Sequence, residues 1–141
     1  MTPYDTLIAA GDEEHGRGLF KEASITYGKA LAIGGPRDQY CRQMRGISSR
    51  LVGEQRLQKA SQQPELRQRF LLQAARWLTK AEANLDSALE EAGPSERALI
   101  RLEQARTEEA LGTLLVMCGG NPHRRQEEAQ RFREEGAALL A

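Results

Sequence analysis

Apolar residues along this chain recur three or four residues apart, the spacing that places them on one face of an α-helix. Glycine and proline interrupt the pattern at several places, where we expect turns. The pattern therefore predicts six helices, over residues 4–15, 19–33, 37–60, 64–92, 95–118 and 122–140. No window alternates apolar and polar residues as a half-buried strand would. We predict an all-α fold in which short connections make neighbouring helices pack antiparallel.

The interrupting residues also predict how the helices begin and end. Glycine suits a helix C-terminus because it adopts left-handed backbone angles without strain, and three glycines are expected in this role: Gly34, Gly93 and Gly119. Proline suits a first helical turn, where its missing N–H is no loss, and we expect Pro64 and Pro122 there. Ser95 is the predicted N-cap of the fifth helix.

The fourth stretch has the widest apolar face and is predicted to be covered on two sides. Its apolar residues are Leu66, Phe70, Leu71, Leu72, Ala74, Ala75, Trp77, Leu78, Ala81, Leu85, Ala88, Leu89 and Ala92. Core packing is the expected role of Phe70 and Trp77.

Glycine also recurs inside the first, third and fifth predicted helices, at Gly11, Gly53 and Gly112. A glycine inside a helix costs roughly 1 kcal/mol relative to alanine, so its recurrence indicates close approach of a neighbouring helix. Three helix hairpins in a single domain, over about residues 1–36, 37–93 and 94–141, are the simplest account.

The segment from Gly11 to Pro36 resembles the tetratricopeptide repeat. The resemblance rests on Gly11, the run Gly18-Leu19-Phe20-Lys21-Glu22-Ala23, Tyr27, Ala30-Leu31 and the closing Gly-Pro. Its later part is repeated by Ala81, Leu85, Ala88-Leu89 and Gly93-Pro94, and a third copy is suggested by Leu111-Gly112, Leu115, Gly119 and Ala129. The second and third hairpins are longer than the family's usual repeat.

The resemblance implies stacked hairpins that bind another protein or peptide in a groove lined by the odd-numbered helices. It places these residues near the groove: Asp12, His15, Arg45, Arg56, Arg106, Glu109 and Thr113. One subclass of the family clamps a partner's terminal carboxylate with Lys and Asn. Ile8 and Asp12 stand at those positions here, so we do not expect that binding mode.

Charge is unevenly distributed, although Lys+Arg and Asp+Glu both number 20. Residues 1–36 carry a net charge of −2, residues 37–80 carry +7 and residues 81–141 carry −5. A candidate basic face consists of Arg42, Arg45, Arg56, Arg67, Arg69 and Arg76. Three explanations stay open: pairing with acidic residues of the first and fifth helices, an acidic protein partner, and nucleic acid. Nucleic acid is least favoured, because exposed aromatic residues and a net positive charge are lacking.

Residues suited to catalysis or metal binding are sparse. His15 lies three residues after Asp12, but two ligands from one turn are a weak metal signal, and we expect an exposed polar face. The thiols Cys41 and Cys118 lack metal or redox spacing and are expected to be buried and reduced. Adjacent glutamates such as Glu108 and Glu109 are expected on a solvated face. We therefore predict no enzyme activity, no metal and no cofactor.

No apolar run is long enough to span a membrane and no signal segment is evident, so we expect a cytoplasmic protein. The last helix ends in apolar residues, and Phe132, Leu139 and Leu140 are predicted to dock on another copy or a larger partner. The leading functional hypothesis is an adaptor or scaffold of bacterial type. The alternatives are a chaperone for a specific client and a regulatory module that binds an acidic partner or nucleic acid through the Arg-rich middle hairpin.

Overall fold

A computed structural model describes residues 1–141 and contains six α-helices and no strand. The helices are α1 (Pro3–Gly16), α2 (Phe20–Ile33), α3 (Asp38–Gln62), α4 (Arg67–Leu89), α5 (Pro94–Met117) and α6 (His123–Leu140). A single 3-10 turn, Pro64–Leu66, precedes α4. The predicted all-α fold is confirmed, and each predicted helix ends within a few residues of its observed bounds.

Local bonds explain where the helices begin and end. At the start of α1, Thr2 and Asp5 form a reciprocal capping box, in which the Asp5 N–H donates to Thr2 Oγ1 at 3.1 Å. Gly34 and Gly119 follow α2 and α5 with φ angles of 81° and 82°, which only glycine adopts readily. The predicted role of these two glycines is therefore confirmed.

The predictions for the connection between α4 and α5 are wrong. Gly93 has a φ of −74° and a ψ of 176°, an extended rather than left-handed conformation. The reason is local, because the ring of Pro94 excludes helical angles at the residue before it. Gly93 is thus the N-cap of α5 and Pro94 its first residue, so Ser95 lies inside the first turn. At the start of α6, Pro122 is the residue before the helix and does not lie in the first helical turn, where we expected it.

Glycines of α3 make room for leucines of α4. A Cβ on Gly53 would lie 2.6 Å from Leu78 Cδ2, and a Cβ on Gly46 would lie 2.8 Å from Leu85 Cδ2. Both glycines and both leucines are buried. Because the two glycines are seven residues apart, as are the two leucines, the same faces of α3 and α4 meet over two turns. The close approach predicted at Gly53 is confirmed.

The other two helix glycines differ from each other. A Cβ on Gly11 would lie 2.8 Å from Cε1 of the Tyr27 ring, so the predicted close approach is confirmed there as well. The nearest atom to a Cβ on Gly112 would be Pro122 Cβ at 3.5 Å, an ordinary van der Waals distance. The prediction of an unusually close crossing is therefore wrong for Gly112.

The core consists of small clusters along the sequence of helices. One joins α1, α2 and α3: Tyr4, Ile8, Ala23, Tyr27, Ala30 and Cys41. Another joins α3, α4 and α5: Leu57, Ala74, Leu78, Ala110, Leu111 and Leu114. The helix α4 packs on both α3 and α5, as its wide apolar face predicts, and α6 packs on α5 through a cluster of Ala105, Ala129 and Phe132.

Two sets of side chains depart from their predicted burial. Cys41 is buried, and burial raises the pKa of its thiol, but Cys118 is exposed at the end of α5. Phe70 and Trp77 are only half-buried, and the Nζ atoms of Lys59 and Lys80 lie 5.9 Å and 4.8 Å from their ring centroids. In length and apolarity, every helix falls short of what a membrane crossing requires.

Candidate functional site

The basic residues of α3 and α4 are almost all without an acidic partner. Among the lysines and arginines between positions 37 and 80, only Arg50 forms ion pairs, to Glu54 and Glu103 at 2.8 Å each. Most basic residues of α5 and α6 are paired, namely Arg101, Arg106, Arg125, Arg131 and Arg133. Internal pairing of the six candidate arginines, the first explanation considered above, is therefore wrong.

Helix periodicity places these cations in one stripe on each of the two helices. At 3.6 residues per turn, Arg42, Arg45 and Arg56 fall within roughly 60° of arc on α3. By the same measure, the α4 residues Arg69, Arg76 and Lys80 fall within about 40° of arc. We call these two stripes together, Arg42, Arg45 and Arg56 on α3 with Arg69, Arg76 and Lys80 on α4, the cationic surface. Arg67 is not part of it, because its side chain donates to the backbone oxygen of Met117 at 2.8 Å, at the end of α5.

Within the cationic surface, Arg45 marks a centre of positive charge where α2, α3 and α4 meet. The Arg45 guanidinium lies against Gly28 of α2, where a Cβ would come within 3.1 Å of Arg45 Cζ. The Nε atoms of Arg45 and Arg56 are both buried and have no hydrogen-bond partner. A buried N–H without an acceptor loses its hydration and gains nothing in return. Burial of these two N–H groups without an acceptor therefore carries a desolvation cost.

Lys80 is the second cation at this centre. Burial and the nearby charge of Arg45 lower the pKa of its ammonium group. Its Nζ faces the ring of Trp77, 4.8 Å from the centroid, and no carboxylate lies within ion-pair distance. Two cations that repel each other and share no acidic partner can attract an anion.

The groove residues implied by the family resemblance do not all share one surface. Asp12 Oδ1 accepts hydrogen bonds from the hydroxyls of Tyr27 and Tyr40, at 2.6 Å each. His15 is half-buried, contrary to the expected exposed face, and its Nδ1 lies 3.2 Å from Ser48 Oγ. Burial lowers the pKa of its imidazole. Asp12 and His15 thus serve the junction of α1 with α2 and α3.

Three other groove residues come together on α5. Arg106, Glu109 and Thr113 line one shallow depression. Arg106 pairs with Glu103 at 2.7 Å, and Glu109 pairs with Arg133 of α6. Thr113 Oγ1 donates to the backbone oxygen of Glu109 at 3.2 Å. The charges in this depression are therefore neutralised internally, unlike those of Arg45 and Arg56 on the cationic surface.

A polar cleft of about 380 Å³ lies between α4, α5 and α6. Arg125 of α6 bridges Glu82 and Glu108 at 2.8 Å each. Burial and a hydrogen bond with Glu82 raise the pKa of Glu108 to about 7, although Arg125 acts in the opposite direction. Glu108 is buried, so the prediction of a solvated face is wrong for it and right for the exposed Glu109.

Of the residues predicted to mediate self-association, one is not accessible. Phe132 is buried, with the guanidinium carbons of Arg101 and Arg131 at 5.0 Å and 5.2 Å from its ring centroid. Only Leu139 and Leu140 remain exposed at that end of α6. Phe132 instead packs in the contact between α6 and α5.

Sequence reasoning did not single out Gly28 or Lys80. A signal for Gly28 was present, since a glycine in the middle of a helix costs roughly 1 kcal/mol and indicates a close neighbour. Lys80 lies at the end of the basic block, but its proximity to Arg45 depends on the rotation of α4 relative to α3. That rotation is a tertiary property.

The fold places the chain among all-helical proteins, and its six helices are compatible with a helical-repeat architecture. Comparison of the chain with protein-family models, with curated protein sequences and with solved structures found no match. The likeness to the tetratricopeptide repeat therefore stays a prediction from the residues. No group of three or more His, Cys, Asp or Glu side chains is arranged to hold a metal ion.

Proposed function

We propose that this chain is a non-catalytic adaptor that binds an acidic segment of another protein through the cationic surface of α3 and α4. The observation that carries the proposal is that none of the six residues of that surface forms an ion pair, while the basic residues of α5 and α6 mostly do. Carboxylates of a partner would supply the missing acceptors and relieve the repulsion between the cations.

The distribution of charge favours a short acidic segment over nucleic acid. The cationic surface belongs to a block of +7 that is flanked by blocks of −2 and −5. Duplex DNA carries one negative charge about every 1.7 Å along its axis, so a long nucleic acid would extend from the cationic surface onto acidic ones. The charges of a peptide can be confined to the few residues that contact α3 and α4.

We also propose that the helix hairpins are of the tetratricopeptide kind. Two contacts between glycine and an aromatic ring support this assignment, Gly11 against Tyr27 and Gly35 against Tyr4. Small residues at such positions are part of the family resemblance. The non-catalytic role is supported by the internal bonds that engage Asp12 and by the contact of His15 with Ser48.

Fluorescence anisotropy with a labelled glutamate-rich peptide tests the adaptor function. We expect binding that weakens with added salt. The double substitution Arg69→Glu with Arg76→Glu should weaken binding about tenfold, since both side chains are exposed and each contributes roughly 0.7 kcal/mol. The exposed positions should also leave the fold intact.

A matched control changes the net charge equally on other helices. Arg17→Glu with Arg124→Glu alters exposed residues at the end of α1 and on α6, and should change the affinity by less than about twofold. Equal weakening by both double variants would contradict the proposal, because only the net charge would then matter. Tighter binding of a single-stranded oligonucleotide than of the peptide would contradict it as well.

A further inference from the structure

We infer that Arg45 and Lys80, with Gly28 behind the guanidinium, form a subsite that binds one aspartate or glutamate carboxylate of the partner. The inference rests on the proposed function and names the anchoring position within the cationic surface. It assigns distinct roles to three residues on three helices, α2, α3 and α4. It lies against the even-numbered helices α2 and α4, although the family resemblance places Arg45 near a groove lined by the odd-numbered helices.

Arg50 provides an internal comparison for Arg45. Both arginines lie on α3, and both have an Nε atom that is buried without a partner. The terminal nitrogens of Arg50 are nevertheless held by Glu54 and Glu103, at 2.8 Å each. At Arg50 the chain thus supplies carboxylates that neutralise the charge. It supplies none to Arg45, and a carboxylate from outside would complete the same arrangement.

Gly28 holds the guanidinium in place without adding charge. A Cβ at this position would lie 3.1 Å from Cζ, 3.2 Å from Nη2 and 3.3 Å from Nε of Arg45, closer than such contacts normally are. The guanidinium therefore packs against the backbone of α2 only because residue 28 has no side chain. Packing on that side restricts the rotamers of Arg45 and lowers the entropy that is lost when an anion binds.

Lys80 adds a second charge from the opposite helix. The ring of Trp77 lies beneath its ammonium group at 4.8 Å and limits where that group can move. Burial and the charge of Arg45 lower the pKa of Lys80, which is the response of an ammonium group that faces a like charge and no counter-ion. A carboxylate between the two cations would reverse this effect by favouring the charged form of Lys80.

The first test measures the affinity of the glutamate-rich peptide for subsite variants. Arg45→Gln should weaken binding about tenfold, the loss of one charge-assisted interaction. Gly28→Ala should weaken it by about threefold or more without changing any charge, because the new methyl group displaces the guanidinium. This variant should still fold, since alanine favours the helix and the contact is with the end of a flexible side chain. Gly112→Ala is the control and should leave binding unchanged.

The second test follows the Lys80 ammonium by NMR during pH titration. We expect its pKa to rise when the glutamate-rich peptide binds and to rise in Arg45→Gln without peptide. An unchanged pKa on saturation with peptide would overturn the subsite. Inorganic phosphate that raises the pKa as much as the peptide at equal concentration would overturn the assignment to a carboxylate.

The outcomes separate this inference from the proposed function. The subsite would be overturned if Arg45→Gln and Gly28→Ala bound the peptide as tightly as the wild type while the Arg69/Arg76 double variant bound it more weakly. That result would leave the adaptor function standing. No binding of the peptide to the wild-type protein, or equal weakening by the control double variant, would overturn the proposed function and the subsite together.

Discussion

Gly53 and Gly112 occupy similar positions in the sequence pattern, each following an aliphatic residue inside a long odd-numbered helix. Their surroundings differ, and alanine at the two positions should therefore change stability in opposite directions. At Gly53, the added Cβ would lie 2.6 Å from both Cγ and Cδ2 of Leu78, a distance shorter than real Cβ contacts. At Gly112, the nearest atoms would be 3.5 Å and 3.7 Å away, on Pro122 and Arg125.

The magnitudes follow from two opposing effects. Alanine stabilises a helix interior by roughly 1 kcal/mol relative to glycine at either position. At Gly53, overpacking opposes this with about 1–3 kcal/mol, and the upper part of that range applies because Leu78 is fully buried and cannot move into solvent. We expect Gly53→Ala to lower the free energy of unfolding by about 1 kcal/mol. Gly112→Ala should raise it by about 0.5–1 kcal/mol.

Urea denaturation followed by far-ultraviolet circular dichroism measures both changes. The unfolding midpoint of Gly53→Ala should fall and that of Gly112→Ala should rise, with unchanged dependence on urea concentration. With a slope of about 2 kcal/mol per molar urea, the two midpoints should differ by nearly 1 M. A Gly53→Ala protein at least as stable as the wild type would refute the reasoning, since α3 and α4 would then not be in the close contact described.

Two further predictions concern buried charge. Arg50→Ala should lower the free energy of unfolding by about 3 kcal/mol, because it leaves the largely buried Glu103 with only an exposed partner. Arg106→Ala should lower it by less than about 1 kcal/mol, because Arg106 is exposed. Thermal unfolding that ranks the two variants the other way would contradict this. Since the folded state raises the pKa of Glu108 from 4.5 to about 7, it binds that proton more tightly than the unfolded chain, and its contribution to stability should be lost as the pH rises through this range. Glu108→Gln should remove that pH-dependent loss, which urea titrations at several pH values would measure. If the free energy of unfolding depended on pH equally in the two proteins, the assignment would be disproved.

The helices could be predicted from the sequence because their causes are local. The capping box of Thr2 and Asp5, and the turns at Gly34 and Gly119, involve residues within four positions of one another. The error at Gly93 was local too, since the effect of a following proline outweighed the preference of glycine for a helix C-terminus. Periodicity also identified the face of α4 that is buried, because a helix of fixed pitch must place residues three and four apart on one side.

What only the tertiary structure decided was which faces meet. Glu108 and Glu109 are neighbours in sequence, but the rotation of α5 buries the first beside Arg125 and leaves the second on the surface. Arg45 and Arg50 are also close in sequence, five residues apart on α3, but only Arg50 lies opposite a glutamate of α5. Such differences depend on distances of a few ångströms between helices far apart in the chain. Helical period sets the spacing of side chains on each helix, whereas the packing of small residues such as Gly28 and Gly53 sets how the helices lie against one another.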